Sequence, residues 1–221
     1  GMVQMGDAKM SKSVGNVVGL AEAVEAVGRG PLRLWYLSAH HRSPLTFDDE
    51  RLDDARAVFG RFVTFVRAAR RAAAGAACDG VAGATHRDAF TAAMDDDLNA
   101  PVAVSVLHQL ITDADGPLKA AAKGDQAAQG AVAELADTLV TLGDDVLGLG
   151  IAEVLDRANA LEQRIAPLVD GELELRAQAR AAKDFAAADA IRDRLAAAGV
   201  VVEDTAAGAV WYAAEALRPA T

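Results

Sequence analysis

Asp48-Asp-Glu-Arg-Leu52-Asp-Asp-Ala55-Arg-Ala-Val-Phe59-Gly-Arg-Phe62-Val63-Thr-Phe-Val66 sets the character of the chain. Leu52, Ala55, Phe59, Phe62, Val63 and Val66 recur three and four residues apart, the spacing that lines one face of an α-helix. Asp48-Asp49-Glu50 stands where a helix N-terminus favours negative charge, so the helix is predicted to start there and to run to about Ala74. Gly75–Gly83 reads as a low-complexity connector.

Downstream, Thr85–Asp95 is predicted as a helix, and Asn99-Ala-Pro101 opens another carrying Val102, Val106, Leu107, Leu110 and Ile111. Gly116-Pro117 and Gly124 are loop signals, and Ala128–Leu147 is a further helix with Val132, Leu135, Leu139 and Leu142 as its stripe. Long amphipathic helices joined by short connections make residues 46–150 an expected antiparallel bundle. Upstream, 1–16 reads as loop, Leu20, Val24 and Val27 share a face, Gly28-Arg-Gly-Pro31 restarts a helix with Leu32, Trp35, Tyr36 and Ala39 inward, and Ser43-Pro44 ends it. Beyond Gly148-Leu-Gly150 come a helix with Leu155, Ala158, Leu161, Ile165 and Leu168 inward, a basic helix Leu173–Lys183, and an Asp184-capped helix with Phe185, Ala188, Ile191 and Leu195 inward. Gly199 suits a left-handed helix end. Val200–Val202 and Ala209–Tyr212 then flank a turn containing Thr205 and Gly208, a hairpin signal, and Glu215–Thr221 is expected to be a disordered tail. The fold class is therefore mainly α: residues 1–45 lead into the bundle, and 151–221 form a small α+β domain with a short β-hairpin.

The 221 residues hold 22 Lys+Arg against 32 Asp+Glu, a net charge of −10, so taken whole the chain is a poor polyanion binder. A nucleic-acid role must rest on local basic patches. One cysteine, Cys78, excludes an internal disulfide or a cysteine-rich zinc site and fits a reducing compartment, with the cytoplasm the expected location. His40, His41, His86 and His108 have no metal-ligand spacing, so no metal site is expected within the chain. No run is long and apolar enough to suggest a membrane span.

Gly6-Asp-Ala-Lys9-Met10-Ser11-Lys12-Ser13-Val-Gly15-Asn16 is the segment richest in chemistry. Two ammonium groups three residues apart, with two hydroxyls, on a loop flanked by glycines, suit closure over a polyphosphate. Charge building on departing pyrophosphate is stabilised most by groups that engage in the transition state. A bare K-x-x-K is more often a solvated basic loop. Asp95-Asp96-Asp97 leads into a helix start and reads as capping, and His40-His41-Arg42 closes a helix where cations favour the dipole.

Lys9–Ser13 is the KMSKS signature of class I aminoacyl-tRNA synthetases, and its surroundings resemble the cysteinyl-tRNA synthetase version. Leu32-Arg33, Leu37-Ser-Ala-His-His41-Arg42-Ser43-Pro44-Leu45 and Phe90-Thr-Ala-Ala-Met94-Asp-Asp-Asp97-Leu-Asn99-Ala-Pro101 are similar to later segments of that family. So are Arg176–Phe185, Ala188–Leu195, and the run from Gly199 through Asp204-Thr205 and Gly208 to Trp211. The family's H-x-G-H nucleotide motif and zinc ligands do not occur in the sequence. The resemblance thus implies a C-terminal fragment of an enzyme that activates cysteine with ATP and transfers it to tRNA(Cys), with zinc expected only in the parent's catalytic region. Lys12 is implied to contact pyrophosphate and Lys9 to assist, with Met10, Ser11 and Ser13 completing the ATP loop. The fragment is expected to be inactive alone, and the resemblance implies a monomer.

An anticodon is an unstacked loop, read by stacking and base-edge hydrogen bonds. Trp211 at the hairpin suits stacking, and Asp204 suits accepting from a base amino group. Arg176, Arg180 and Lys183 are spaced as a basic stripe that Arg192 and Arg194 extend, and 176–194 hold five basic and three acidic residues. Each of these also has a structural reading, as core cover or solvated face. Two further functions remain open: the cysteine-activating ligase of mycothiol biosynthesis, which shares the loop and needs no anticodon, and a helical protein-interaction module.

Overall fold

The structure is a computed structural model describing residues 3–5, 8–9, 19–78, 80–205 and 208–214, with residues 4, 5, 8, 9 and 205 described in backbone only. The expected tail Glu215–Thr221 and the loop residues Met10, Ser11, Lys12 and Ser13 lie outside the described residues. The chain divides into two compact units, the first ending at Ala152 and the second beginning at Glu153. Mainly helical architecture with a closing hairpin is what the sequence predicts, and it is what forms.

In the first unit, strand β1 (Val3–Met5) pairs antiparallel with β2 (Ala8–Lys9) and parallel with β3 (Leu45–Thr46), with Val3 opposite Leu45. The sequence reads residues 1–16 as loop, because strands of two or three residues carry no periodicity and a parallel pair joins segments far apart. Helices α1 (Leu20–Val27) and α2 (Arg29–Leu37) connect β1–β2 to β3. The Trp35 Nε1–H donates to the Thr46 carbonyl at 3.0 Å, tying α2 to β3. Helix α2 stops at Leu37, short of Ser43-Pro44, and buries Leu32, Leu34 and Trp35, whereas Leu20 and Tyr36 are exposed.

Helix α3 (Asp49–Ala73) is the axis of the bundle. The Asp48 carboxylate caps it, accepting from the Arg51 amide at 2.8 Å, and the predicted stripe from Leu52 to Val66 is buried. Helices α2, α6 (Asp115–Ala121) and α7 (Gln126–Val140) pack on α3, while α4 (Ala84–Asp95) packs on α5 (Ala100–Asp113). Gly116-Pro117 opens α6 instead of a loop, since a first turn needs no amide donors. Val102 is exposed, and Leu107 and Leu110 carry the burial of α5. A π-helical turn, Thr141–Val146, ends α7.

Helix α8 (Ile151–Ala181) is continuous where the sequence predicts two helices. Pro167 removes one backbone hydrogen bond inside the helix without ending it. Its inward residues in the second unit include Ala158, Ile165, Val169, Leu173 and Arg176, so Leu161 and Leu168 fall out of phase and are exposed. Helix α9 (Phe185–Ala197) starts at the Asp184 cap, whose carboxylate accepts from the Ala187 amide at 3.0 Å. Strands β4 (Val200–Thr205) and β5 (Gly208–Ala213) form the predicted hairpin, entered through Gly199 at φ +77. Val169, Ile191, Leu195, Val200 and Val202 make the second unit's core.

Candidate nucleic-acid interface

Arg176 lies three residues beyond Leu173 on the inward stripe of α8, so its stem enters the core and its charge needs a partner. Asp204, near the end of β4, supplies it. The two guanidinium nitrogens Nη1 and Nη2 of Arg176 donate to Oδ1 and Oδ2 of Asp204 at 2.8 and 2.9 Å, the two-pronged geometry that suits Arg and carboxylate. One turn on, Arg180 Nη1 donates to the same Oδ2 at 2.9 Å. The hydrogen bond from Arg176, against the opposing effect of burial and with that from Arg180, holds the Asp204 carboxyl well below the usual carboxylate range. The Arg176 pKa is raised, first by its hydrogen bond to Asp204.

The sequence therefore reads these three side chains as separate RNA contacts, and the structure joins them into one clasp between α8 and the hairpin. Arg176 is buried and Arg180 half exposed. Lys183 departs from the expected stripe: α8 ends at Ala181, and Lys183 adopts a left-handed φ of +60 as the chain turns, with its side chain exposed. Arg192 is exposed on α9, and Arg194 pairs with Glu172 at 2.6 Å.

Trp211, opposite Val202 on β5, lays its ring against the core cluster and donates from Nε1 to the Asp170 carboxylate at 3.0 Å. It is half-buried. Phe185 is the reverse case. Predicted as core, this first residue of α9 is 62% exposed, because the helix buries the face carrying Ala188, Ile191 and Leu195. In the sequence it is an aromatic residue two positions after Lys183, and helical periodicity assigns it to the core.

Elsewhere, Lys9 places its backbone in β2, opposite Gln4. His40 and His41 face Asp97, with Nε2–carboxylate distances of 3.7 and 3.9 Å, and Arg42 donates to that carboxylate at 2.9 Å. Asp97 thus receives the segment after α2 instead of capping α5, and Asn99 precedes α5 without a side-chain cap bond. The Cys78 thiol donates to Asp137 at 3.2 Å, and as the sole thiol it leaves this chain without the donor set of a cysteine-ligated zinc site. No helix among the described residues is long and apolar enough to cross a membrane.

Three family models match in order along the chain: the class I (C) tRNA synthetase catalytic domain at residues 1–57, the DALR domain at 89–152, and the cysteinyl-tRNA ligase anticodon binding domain at 169–211. Among similar proteins are the cysteine–tRNA ligases of Arthrobacter sp. (strain FB24), 41% identical over 96% of this chain and 43% of the relative, of Paenarthrobacter aurescens (strain TC1), 42% over 96% and 42%, and of Micrococcus luteus, 42% over 97% and 44%. The chain spans less than half the length of these relatives. With catalytic-domain, DALR and anticodon-domain matches in one sequence, and about two residues in five shared along nearly all of it, the chain belongs to the cysteinyl-tRNA synthetase family.

Proposed function

We propose that this chain supplies the pyrophosphate-facing loop and the anticodon-reading end of a cysteine–tRNA ligase, whose complete form activates cysteine with ATP and esterifies it to tRNA(Cys). The observation that carries the reading is the match of residues 169–211 to an anticodon-binding domain, the region that holds the Arg176–Asp204–Arg180 clasp and exposes Phe185. That match also favours tRNA over the sugar acceptor of a mycothiol ligase, which has no anticodon to read. In this reading residues 1–45 end the catalytic region, 46–150 form the helical spacer and 151–221 the anticodon reader. The protein acts as a monomer in the cytoplasm.

Lys12 contacts the departing pyrophosphate and Lys9 assists, while Met10, Ser11 and Ser13 shape the loop with amides and hydroxyls. Removing a preorganised donor of this kind costs about 3 kcal/mol of barrier, so Lys12→Ala in a complete enzyme lowers ATP–pyrophosphate exchange by roughly 10²- to 10³-fold. ATP and cysteine are bound by that complete enzyme, and zinc belongs to its catalytic region.

At the other end, Arg176 and Asp204 are positioning residues: they saturate one another and fix the hairpin against α8. Arg180, Lys183 and Arg192 face the RNA backbone and bases, Trp211 closes the site, and Phe185 is the exposed ring on which a base stacks. Affinity for tRNA carrying a GCA anticodon, against an anticodon-altered control, tests the reading. Phe185→Ala is expected to weaken the GCA complex by roughly 1–3 kcal/mol, about 5-fold to 150-fold. Equal binding of both tRNAs by the unaltered chain overturns it.

A further inference from the structure

The loop between α2 and β3 presents two adjacent histidines, His40 and His41, on a turn closed by the Ser43 amide donating to the His40 carbonyl at 2.8 Å. Their rings lie with centroids 4.3 Å apart and planes tilted by 35°. Both turn Nε2 toward Asp97, His40 at 3.7 Å from Oδ2 and His41 at 3.9 Å from Oδ1. Asp97 comes from the turn between α4 and α5, where it and Leu98 adopt left-handed φ values of +56 and +53. The Leu98 amide donates to the Met94 carbonyl at 3.1 Å and the Asn99 amide to the Ala93 carbonyl at 3.0 Å, which fixes that turn on the end of α4. Both sides of the juxtaposition are therefore anchored through the backbone, and both belong to the first unit.

An imidazole nitrogen from each histidine and a carboxylate oxygen of Asp97 lie within 4.8 Å of one another. Tetrahedral coordination at about 2.0–2.2 Å sets ligand atoms about 3.3 Å apart, so the three side chains need to close by no more than about 1.5 Å. All three are partly exposed, and small rotations there disturb no core packing. None of them is without a partner, and the partner is informative. Arg42 donates from Nη2 to Asp97 Oδ1 at 2.9 Å, from Nε to His41 Nε2 at 3.4 Å, and from its amide to His40 Nδ1 at 3.4 Å. A cationic group thus already sits on these acceptors. Its side chain is 72% exposed, so water offers the guanidinium an alternative, and an ion pair this exposed contributes little. Imidazole nitrogens with one carboxylate suit zinc-class ions, whereas calcium and magnesium take oxygen ligands. No local spacing reveals the set, because Asp97 lies 55 residues beyond Arg42.

We propose that His40, His41 and Asp97 bind a divalent ion of the zinc class, which displaces the Arg42 guanidinium and clips the α2–β3 loop to the α4–α5 turn. With three protein ligands, the fourth tetrahedral position falls to water. The site is independent of the tRNA reading. It is also distinct from the zinc assigned above to the catalytic region of the complete enzyme, since its three ligands all lie in this chain and none is a cysteine. Its consequence is mechanical: an ion that binds only the folded arrangement stabilises the first unit in proportion to the logarithm of its free concentration.

The test is Zn²⁺ binding by the 221-residue chain after treatment with chelator, read by isothermal titration calorimetry and by the thermal midpoint in rising Zn²⁺. Circular dichroism checks that each variant folds. The expected result is one saturable site per chain, a midpoint that climbs with free Zn²⁺, and binding weakened at least about tenfold in His41→Asn and in Asp97→Asn. Arg42→Gln is expected to bind Zn²⁺ more tightly than the unaltered chain, because the competing guanidinium is gone. A damaged fold does not produce a gain in affinity, so this variant keeps the test sound even where a ligand variant folds poorly. Absence of saturable binding in both the unaltered chain and Arg42→Gln overturns the inference. So does affinity unchanged in His41→Asn and Asp97→Asn, or lowered in folded Arg42→Gln. None of these outcomes bears on tRNA recognition, which the comparison of anticodons decides separately.

Discussion

Asp204 accepts three hydrogen bonds from two guanidinium groups, one of them buried, so the cost of losing it falls on Arg176. Asp204→Asn keeps the shape, removes the charge and leaves Arg176 in the core with half of its recognition. The variant is expected to lose about 1–3 kcal/mol of stability at neutral pH, read from urea denaturation of the second unit's signal. The pH dependence follows from the direction of the shift. Asp204 has a depressed folded-state pKa, so its contribution is fully present above the unfolded value of about 3.9 and is lost as pH falls through the folded value. The gap between the unaltered chain and Asp204→Asn is therefore expected to hold from pH 7 to about 5 and to narrow on further acidification. A gap that widens in acid contradicts the clasp. Arg176 and Asp204 are both legible in the sequence as polar residues of interest. Their pairing is not, because 28 residues separate them and only the turn from α8 through α9 into β4 brings them together.

Helices were legible wherever one apolar face repeats for several turns, as along α3 from Leu52 to Val66, and wherever an aspartate cap marks the start, as at Asp48 and Asp184. The sequence failed where packing overrides a local signal. The two helices expected on either side of residues 169–172 form one continuous α8, and β1–β3 depends on a pairing that no local pattern encodes. Two glycines show how packing sets the meaning of a residue. Gly30 on α2 lies where an added methyl would overlap the Phe59 ring and come within 2.8 Å of the Leu149 carbonyl oxygen. Phe59 is buried and has nowhere to go, so Gly30→Ala is expected to destabilise the first unit by about 1–3 kcal/mol. Gly60, the next residue along α3, has nothing within 4 Å of such a methyl. Gly60→Ala is expected to stabilise by about 0.5–1 kcal/mol, since alanine restricts the unfolded chain and favours helix. Thermal melts of the two variants moving in opposite directions check the close approach of α2 to α3, and parallel movement refutes it.

Across the whole molecule, the chemistry divides between a catalytic-domain match at residues 1–57 and an anticodon-domain match at 169–211. In the proposed reading Lys9 and Lys12 of the KMSKS loop face ATP, and the 221 residues contain no H-x-G-H to hold its adenosine opposite them. A lysine loop stabilises charge only where the nucleotide is held against it, because the benefit of a preorganised cation depends on its distance from the developing charge. Binding and catalysis should therefore separate. The chain as given is expected to bind tRNA(Cys) in preference to an anticodon-altered control and to show no cysteine-dependent exchange of pyrophosphate into ATP. Filter binding and an exchange assay on the same preparation check the two halves independently. Exchange above background would mean that residues other than H-x-G-H hold the nucleotide here, and it would move the search for them to the groups around β1, α1 and α2.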